Sequence, residues 1–111
     1  MNKNRILLWK MFDGKCAYCG GKLDKRFHAD HIDPKYRGGK DAKENLYPAC
    51  PRCNIRKATY TVEEFRHEID KQVDVLRNNS RPFRLAEAFG QIRVTGQEVV
   101  FWFEKYMATK D

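Results

Sequence analysis

CAYCGGKLDKRFHADHIDPKYRGGKDAKENLYPACPRCN, residues 16–54, is the stretch that decides how this chain folds. It opens with Cys16 and Cys19, closes with Cys50 and Cys53, and holds every cysteine of the 111-residue chain. Two cysteines two residues apart chelate one ion from a tight turn, and two such pairs complete a tetrahedron. Four thiolates leave no open position, so this pattern predicts a structural zinc site. The rival, two disulfides, belongs to secreted proteins. Met1–Phe12 has only Ile6–Trp9 as an unbroken apolar run, too short for a signal peptide or a membrane span. A reducing, cytoplasmic setting is therefore expected.

Between the cysteine pairs lie Asp30-His31, then Gly38-Gly39, then Asn45; Asn54 follows Cys53 directly, and Lys57 comes three residues later. Hydrolysis of a phosphodiester needs a deprotonated water, a Lewis acid and help for the leaving oxygen. Histidine, with an ordinary pKa of about 6.5, suits the base role near neutral pH, which points to His31. Asp30 offers an anionic oxygen and Asn54 a neutral one, a set that suits Mg²⁺ or Mn²⁺ better than zinc. Lys57 shares a helical face with Asn54 and is placed at the phosphate. His28 falls on the same strand face as Asp30. An extra metal ligand or phosphate contact is one reading for it, and a strand histidine without chemistry is the preferred one.

This arrangement resembles the HNH, or ββα-metal (His-Me finger), nuclease family, in its subgroup with a four-cysteine zinc clamp. The match covers roughly residues 5–60. The resemblance implies a metal-dependent DNA endonuclease in which one active site nicks one strand. By the same resemblance, Asn45 matches the family's middle Asn and positions the base histidine or its loop. Many members carry His where this chain has Asn54, which argues against zinc in the active site.

Charge supports a polyanionic partner. Residues 1–60 carry 14 Lys/Arg against 6 Asp/Glu, and residues 61–111 carry 8 against 9. The whole excess of positive charge lies on the motif half, which points to nucleic acid. Lys35, Arg37, Lys40 and Lys43 in the Gly-containing loop are expected to grip the phosphate backbone, with Arg52 and Arg56 beside them. Without chemistry, the same features would make a zinc-stabilised DNA-binding module; RNA is a third substrate reading.

Working outward, the fold class is α+β, with an HNH core at 1–60 and an extension at 61–111 packing on it. Asn4–Phe12 reads as a helix ended by Asp13-Gly14. Arg26–Ile32 and Asn45–Pro48 read as short strands, and Pro51–Ala58 as a helix with proline at its first position. Thr61 and Glu64 form a capping box that starts a second helix. Val62, Phe65, Ile69, Val73 and Leu76 make one stripe along it. Phe83–Phe89 reads as a short helix. Ile92/Val94 and Val99/Phe101/Phe103 alternate about Thr95-Gly96 as in a C-terminal β-hairpin. Phe101-Trp102-Phe103 is assigned to the core, with a homodimer interface as the alternative. Homing, phage packaging, restriction and recombination are all settings compatible with these features.

Overall fold

The structure, a computed structural model, describes residues Met1–Thr109. They form two compact units. One comprises Met1–Phe65 together with the segment that begins at Val100; the other is Arg66–Val99. The core therefore takes the chain back after residue 99.

In the first unit, α1 (Lys3–Lys10) starts where the Asn2 side chain accepts from Arg5 N at 2.9 Å. Asp13 and Gly14, both at positive φ, turn the chain into the first cysteine pair. Trp9 packs so closely on Gly14 that a Cβ there would lie 2.4 Å from its ring. The Cys16–Gly21 turn closes through Cys16 N to Gly21 O and Gly20 N to Cys16 O. Two strands follow, β1 (His28–His31) and β2 (Leu46–Ala49), paired antiparallel with His28 opposite Ala49 and His31 opposite Leu46. Ala17 N donates to Pro48 O at 2.9 Å, which ties the cysteine turn to β2.

Cys50 caps α2 (Pro51–Lys57), its Sγ accepting from Cys53 N at 3.4 Å. The expected capping box is formed at the start of α3 (Val62–Asp70): Glu64 N donates to Thr61 Oγ1 at 3.2 Å and Thr61 N to Glu64 Oε1 at 3.0 Å. An aromatic core joins Phe12, Tyr18, Tyr47, Phe65, Phe101, Phe103 and Tyr106, with ring centroids 5.0–6.3 Å apart.

The second unit holds the end of α3, then α4 (Gln72–Asn79) and α5 (Arg81–Ala88). The single helix expected along Val62–Leu76 is broken at Lys71, so its apolar stripe is shared between two shorter helices. Ser80 caps α5 by accepting from Phe83 N, and Arg77 holds Glu87 through two bonds of 3.0 and 2.7 Å.

The expected C-terminal β-hairpin is not formed. Among the described residues the only named strands are β1 and β2, and the chain from Trp102 is helical, α6 (Trp102–Thr109). Trp102 N donates to Tyr18 O and Phe103 N to Ala17 O, so amides that a hairpin would need are bound to the cysteine turn. Phe101 N is capped by Glu104 Oε1 at 2.9 Å, which starts the helix. The aromatic run does serve the core, where Phe101 is 2 % exposed. No described helix is long and apolar enough to cross a membrane.

Candidate functional site

The four cysteine sulfurs all lie within 4.8 Å of one another, Cys19 Sγ and Cys50 Sγ at 3.9 Å. Zinc–sulfur bonds of about 2.3 Å put tetrahedral sulfurs about 3.8 Å apart. The cluster thus fits a metal ion with little movement. Gly21 N points at Cys19 Sγ from 3.3 Å, and Cys53 N at Cys50 Sγ, so backbone amides favour thiolates here. The crowding shows in the acidities. Cys16 is lowered to about 4, first by the hydrogen bond from Cys53, while Cys53 is pushed up by that same bond and by burial. A cation at the centre would remove that conflict by letting all four ionise.

Strand β1 and helix α2 face one another, and each contributes two side chains to the shared face. Asn54 Nδ2 lies 2.8 Å from His28 Nδ1. One turn further on, Lys57 Nζ lies 3.3 Å from Asp30 Oδ2 and 3.0 Å from His31 O. Asp30 is 4 % exposed and also accepts from the Tyr18 hydroxyl. Burial first of all pushes the Asp30 carboxyl up, against the opposing pull of Tyr18 and Lys57. Burial likewise raises Tyr18, so the phenol keeps its proton and donates.

Asp30 and Asn54 fit a hard divalent ion in kind. A carboxylate has about four lone-pair sites, of which Tyr18 and Lys57 take part, and Asn54 uses one end of its amide on His28. Lys57 is the cation with which a bound ion would compete at Asp30.

His31 leaves the opposite side of β1 toward the loop. Its Nε2 is 2.9 Å from Asp41 Oδ1, and Lys35 Nζ is 3.6 Å from Asp41 Oδ2. The hydrogen bond with His31, with Lys35 behind it, holds the Asp41 carboxyl below its ordinary range. An ionised carboxylate only accepts, so Nε2 is the donor in this pair, which leaves Nδ1 as the ring nitrogen not engaged with Asp41. Asn45 is buried and staples the loop. Its amide donates to Asp33 O and Lys40 O at 2.9 and 2.8 Å, and its Oδ1 accepts from Asp33 N at 2.9 Å.

Of the seven cations read as phosphate contacts, Lys35, Arg37, Lys40, Lys43, Arg52 and Arg56 are exposed. Arg37 is also anchored, to Thr59 O and Glu64, and Arg52 leans toward Cys19 Sγ at 4.0 Å. Lys57 departs from that reading: it is fully buried and its charge is turned onto Asp30, where an unpaired carboxylate would be costly. Three partners escaped the sequence, Tyr18, Asp41 and the pairing of His28 with Asn54. Only His28 carried a signal there, its i, i+2 relation to Asp30.

Residues 16–59 match the family model described as HNH endonuclease. Over 72 residues the chain is 32 % identical to YoqL, an SPbeta prophage-derived protein of Bacillus subtilis (strain 168) assigned by name to the HNH endonucleases; the match covers 54 % of this chain and 30 % of that one. Over 84 residues it is 32 % identical to the Septu protein PtuB of Bacillus thuringiensis, covering 71 % of this chain and 32 % of PtuB. The matched regions thus span about a third of the length of these curated relatives.

Proposed function

We propose that this chain, whose residues 16–59 match the HNH endonuclease family model, is a metal-dependent endonuclease that hydrolyses DNA phosphodiester bonds, nicking one strand per site. His31 is the general base: with Nε2 held by Asp41, Nδ1 takes the proton from the attacking water. Asn45 keeps that loop in place, so the imidazole does not swing away from the water. Asp30 and Asn54 would hold Mg²⁺ or Mn²⁺. Such an ion, when bound, polarises the phosphate and eases departure of the leaving oxygen. Lys35, Arg37, Lys40 and Lys43 grip the backbone around the cut, with Arg52 and Arg56 at the edge of the same surface. Zinc at Cys16, Cys19, Cys50 and Cys53 holds the fold.

The observation that carries this reading is the His31–Asp41 pair on a loop stapled by Asn45. A pure binding module has no use for an oriented imidazole. Burial of Asp30 beneath Lys57 favours the second reading, a zinc-stabilised DNA-binding module without catalysis. Supercoiled plasmid incubated with Mg²⁺ or Mn²⁺ separates the two. The wild type should convert it to open circles, and His31→Ala should be about 10²–10⁴-fold slower, the range for general-base loss. Binding without nicking under any divalent ion would leave only the module, and equal nicking by His31→Ala would remove His31 as the base.

A further inference from the structure

Tyr18 lies inside the first cysteine pair, at a position where zinc chemistry makes no demand on the side chain. It is 3 % exposed. Its ring packs edge-on against Tyr47, Phe65, Phe101 and Phe103, at centroid distances of 5.3–6.3 Å. Phenylalanine would make all of those contacts. The hydroxyl is what packing does not explain, and it is aimed at Asp30 Oδ2.

A buried carboxylate can rotate about its own bond. Lys57, a point charge 3.3 and 3.5 Å from its two oxygens, does little to choose between them. A phenol donates in the plane of its ring, so once the ring is wedged its O–H has only two in-plane directions, and Asp30 Oδ2 takes one of them. Its backbone is also held: Tyr18 O accepts from Trp102 N at 3.0 Å, and Cys16 and Cys19 bracket it in the four-cysteine cluster.

We infer that Tyr18 is a positioning residue for Asp30: the cysteine turn aims its phenol at Oδ2 and so fixes the rotation of the carboxyl that would serve as a ligand of the divalent ion. The inference rests on the endonuclease reading above. It links the two metal sites, since the turn that closes the clamp also sets the carboxylate of the other site.

The test compares the zinc-loaded full chain with Tyr18→Phe, using Mn²⁺ as probe. Free Mn²⁺ is followed by its paramagnetic resonance signal, with an uncleavable phosphorothioate duplex present. Loss of a partner that orients a metal ligand costs about 10–100-fold in metal affinity, so Mn²⁺ half-saturation should rise at least tenfold. Zinc content and metal-free DNA affinity should be unchanged. Phe65→Leu, which loosens the same aromatic cluster without touching the hydroxyl, should lower the thermal midpoint and leave the Mn²⁺ constant where it was. An unchanged Mn²⁺ constant in Tyr18→Phe overturns the inference, as does an equal shift in Phe65→Leu. Should Tyr18→Phe not fold, a ring-fluorinated tyrosine at position 18, of nearly the same shape but a stronger donor, takes its place; a constant that does not move then overturns it. A wild type that neither binds Mn²⁺ nor nicks removes the endonuclease reading and this inference together, whereas an active wild type with an indifferent Tyr18→Phe removes the inference alone.

Discussion

Replacing Lys57 by methionine removes the cation beside Asp30 and keeps most of the side chain's volume. Lys57 is fully buried, with Nζ 3.3 Å from Asp30 Oδ2 and 3.0 Å from His31 O. Removing one partner of a buried pair costs about 3–5 kcal/mol. Asp30 keeps the Tyr18 hydrogen bond, so the lower end, about 3 kcal/mol, applies to the pair. The lost donor to His31 O adds about 1 kcal/mol. The sum, about 4 kcal/mol, is a large part of a domain stability of about 5–15 kcal/mol. Urea unfolding of the zinc-loaded chain, followed by tryptophan fluorescence, measures it. With a slope of about 2 kcal/mol per molar urea, the midpoint should fall by roughly 2 M. Adding Asp30→Asn should restore part of the loss, because an amide needs no counter-charge. The contrary result is equally clear. A midpoint shift below about 0.5 M urea, with a DNA-binding salt slope reduced by about one, would put Lys57 at a phosphate and refute its burial.

Cys50→Ser should abolish the fold of the first unit, since structural zinc supplies about 10–16 kcal/mol of binding free energy; a zinc-free variant with native near-ultraviolet dichroism would contradict this. Gly39→Ala would put a Cβ 1.8 Å from Asp33 O, so the loop that carries Asp41 must shift. Because every atom met is backbone, nicking and the thermal midpoint should both fall, and full activity at an unchanged midpoint would show that the turn is not needed. In the second unit, the hydrogen bond from Arg77 holds the Glu87 carboxyl below its ordinary value of 4.5. A depressed folded value means that its contribution is present above pH 4.5 and lost as pH falls through the folded value. Hydrogen exchange in α5, corrected for intrinsic rates, should therefore accelerate in acid, and constant protection would count against the pair.

Local chemistry made much of this molecule readable before any coordinates. Cysteines two residues apart, proline opening α2, the Thr61–Glu64 box and the Asp13-Gly14 turn each act within one turn of chain. What escaped depends on partners far along it. Whether Lys57 meets water or a carboxylate is decided by Asp30, 27 residues away. The stripe from Val62 to Leu76 has helical period throughout, yet nothing in that period marks the break at Lys71. Residues 92–103 alternate like a hairpin, but the carbonyls of Ala17 and Tyr18 claim the amides of Phe103 and Trp102. Tyr18 was silent because its neighbours, and not its own type, account for the cysteine pattern.

The return of the chain at Val100 sets an order of assembly. On the ribosome, all four sulfurs are available once Cys53 has emerged, so metal capture can precede any closed core. Phe101 and Phe103 arrive about 50 residues later, after the whole of Arg66–Val99 has been made, and only then can their rings and the amides of Trp102 and Phe103 lock the cysteine turn. Arg66 already bridges to Val99 O at 2.8 Å, which brings the two ends of that excursion together. Lengthening the excursion between those ends adds loop-closure entropy only logarithmically. Residues 67–98 are thus the part of the chain where length can change at least cost to the metal-binding half.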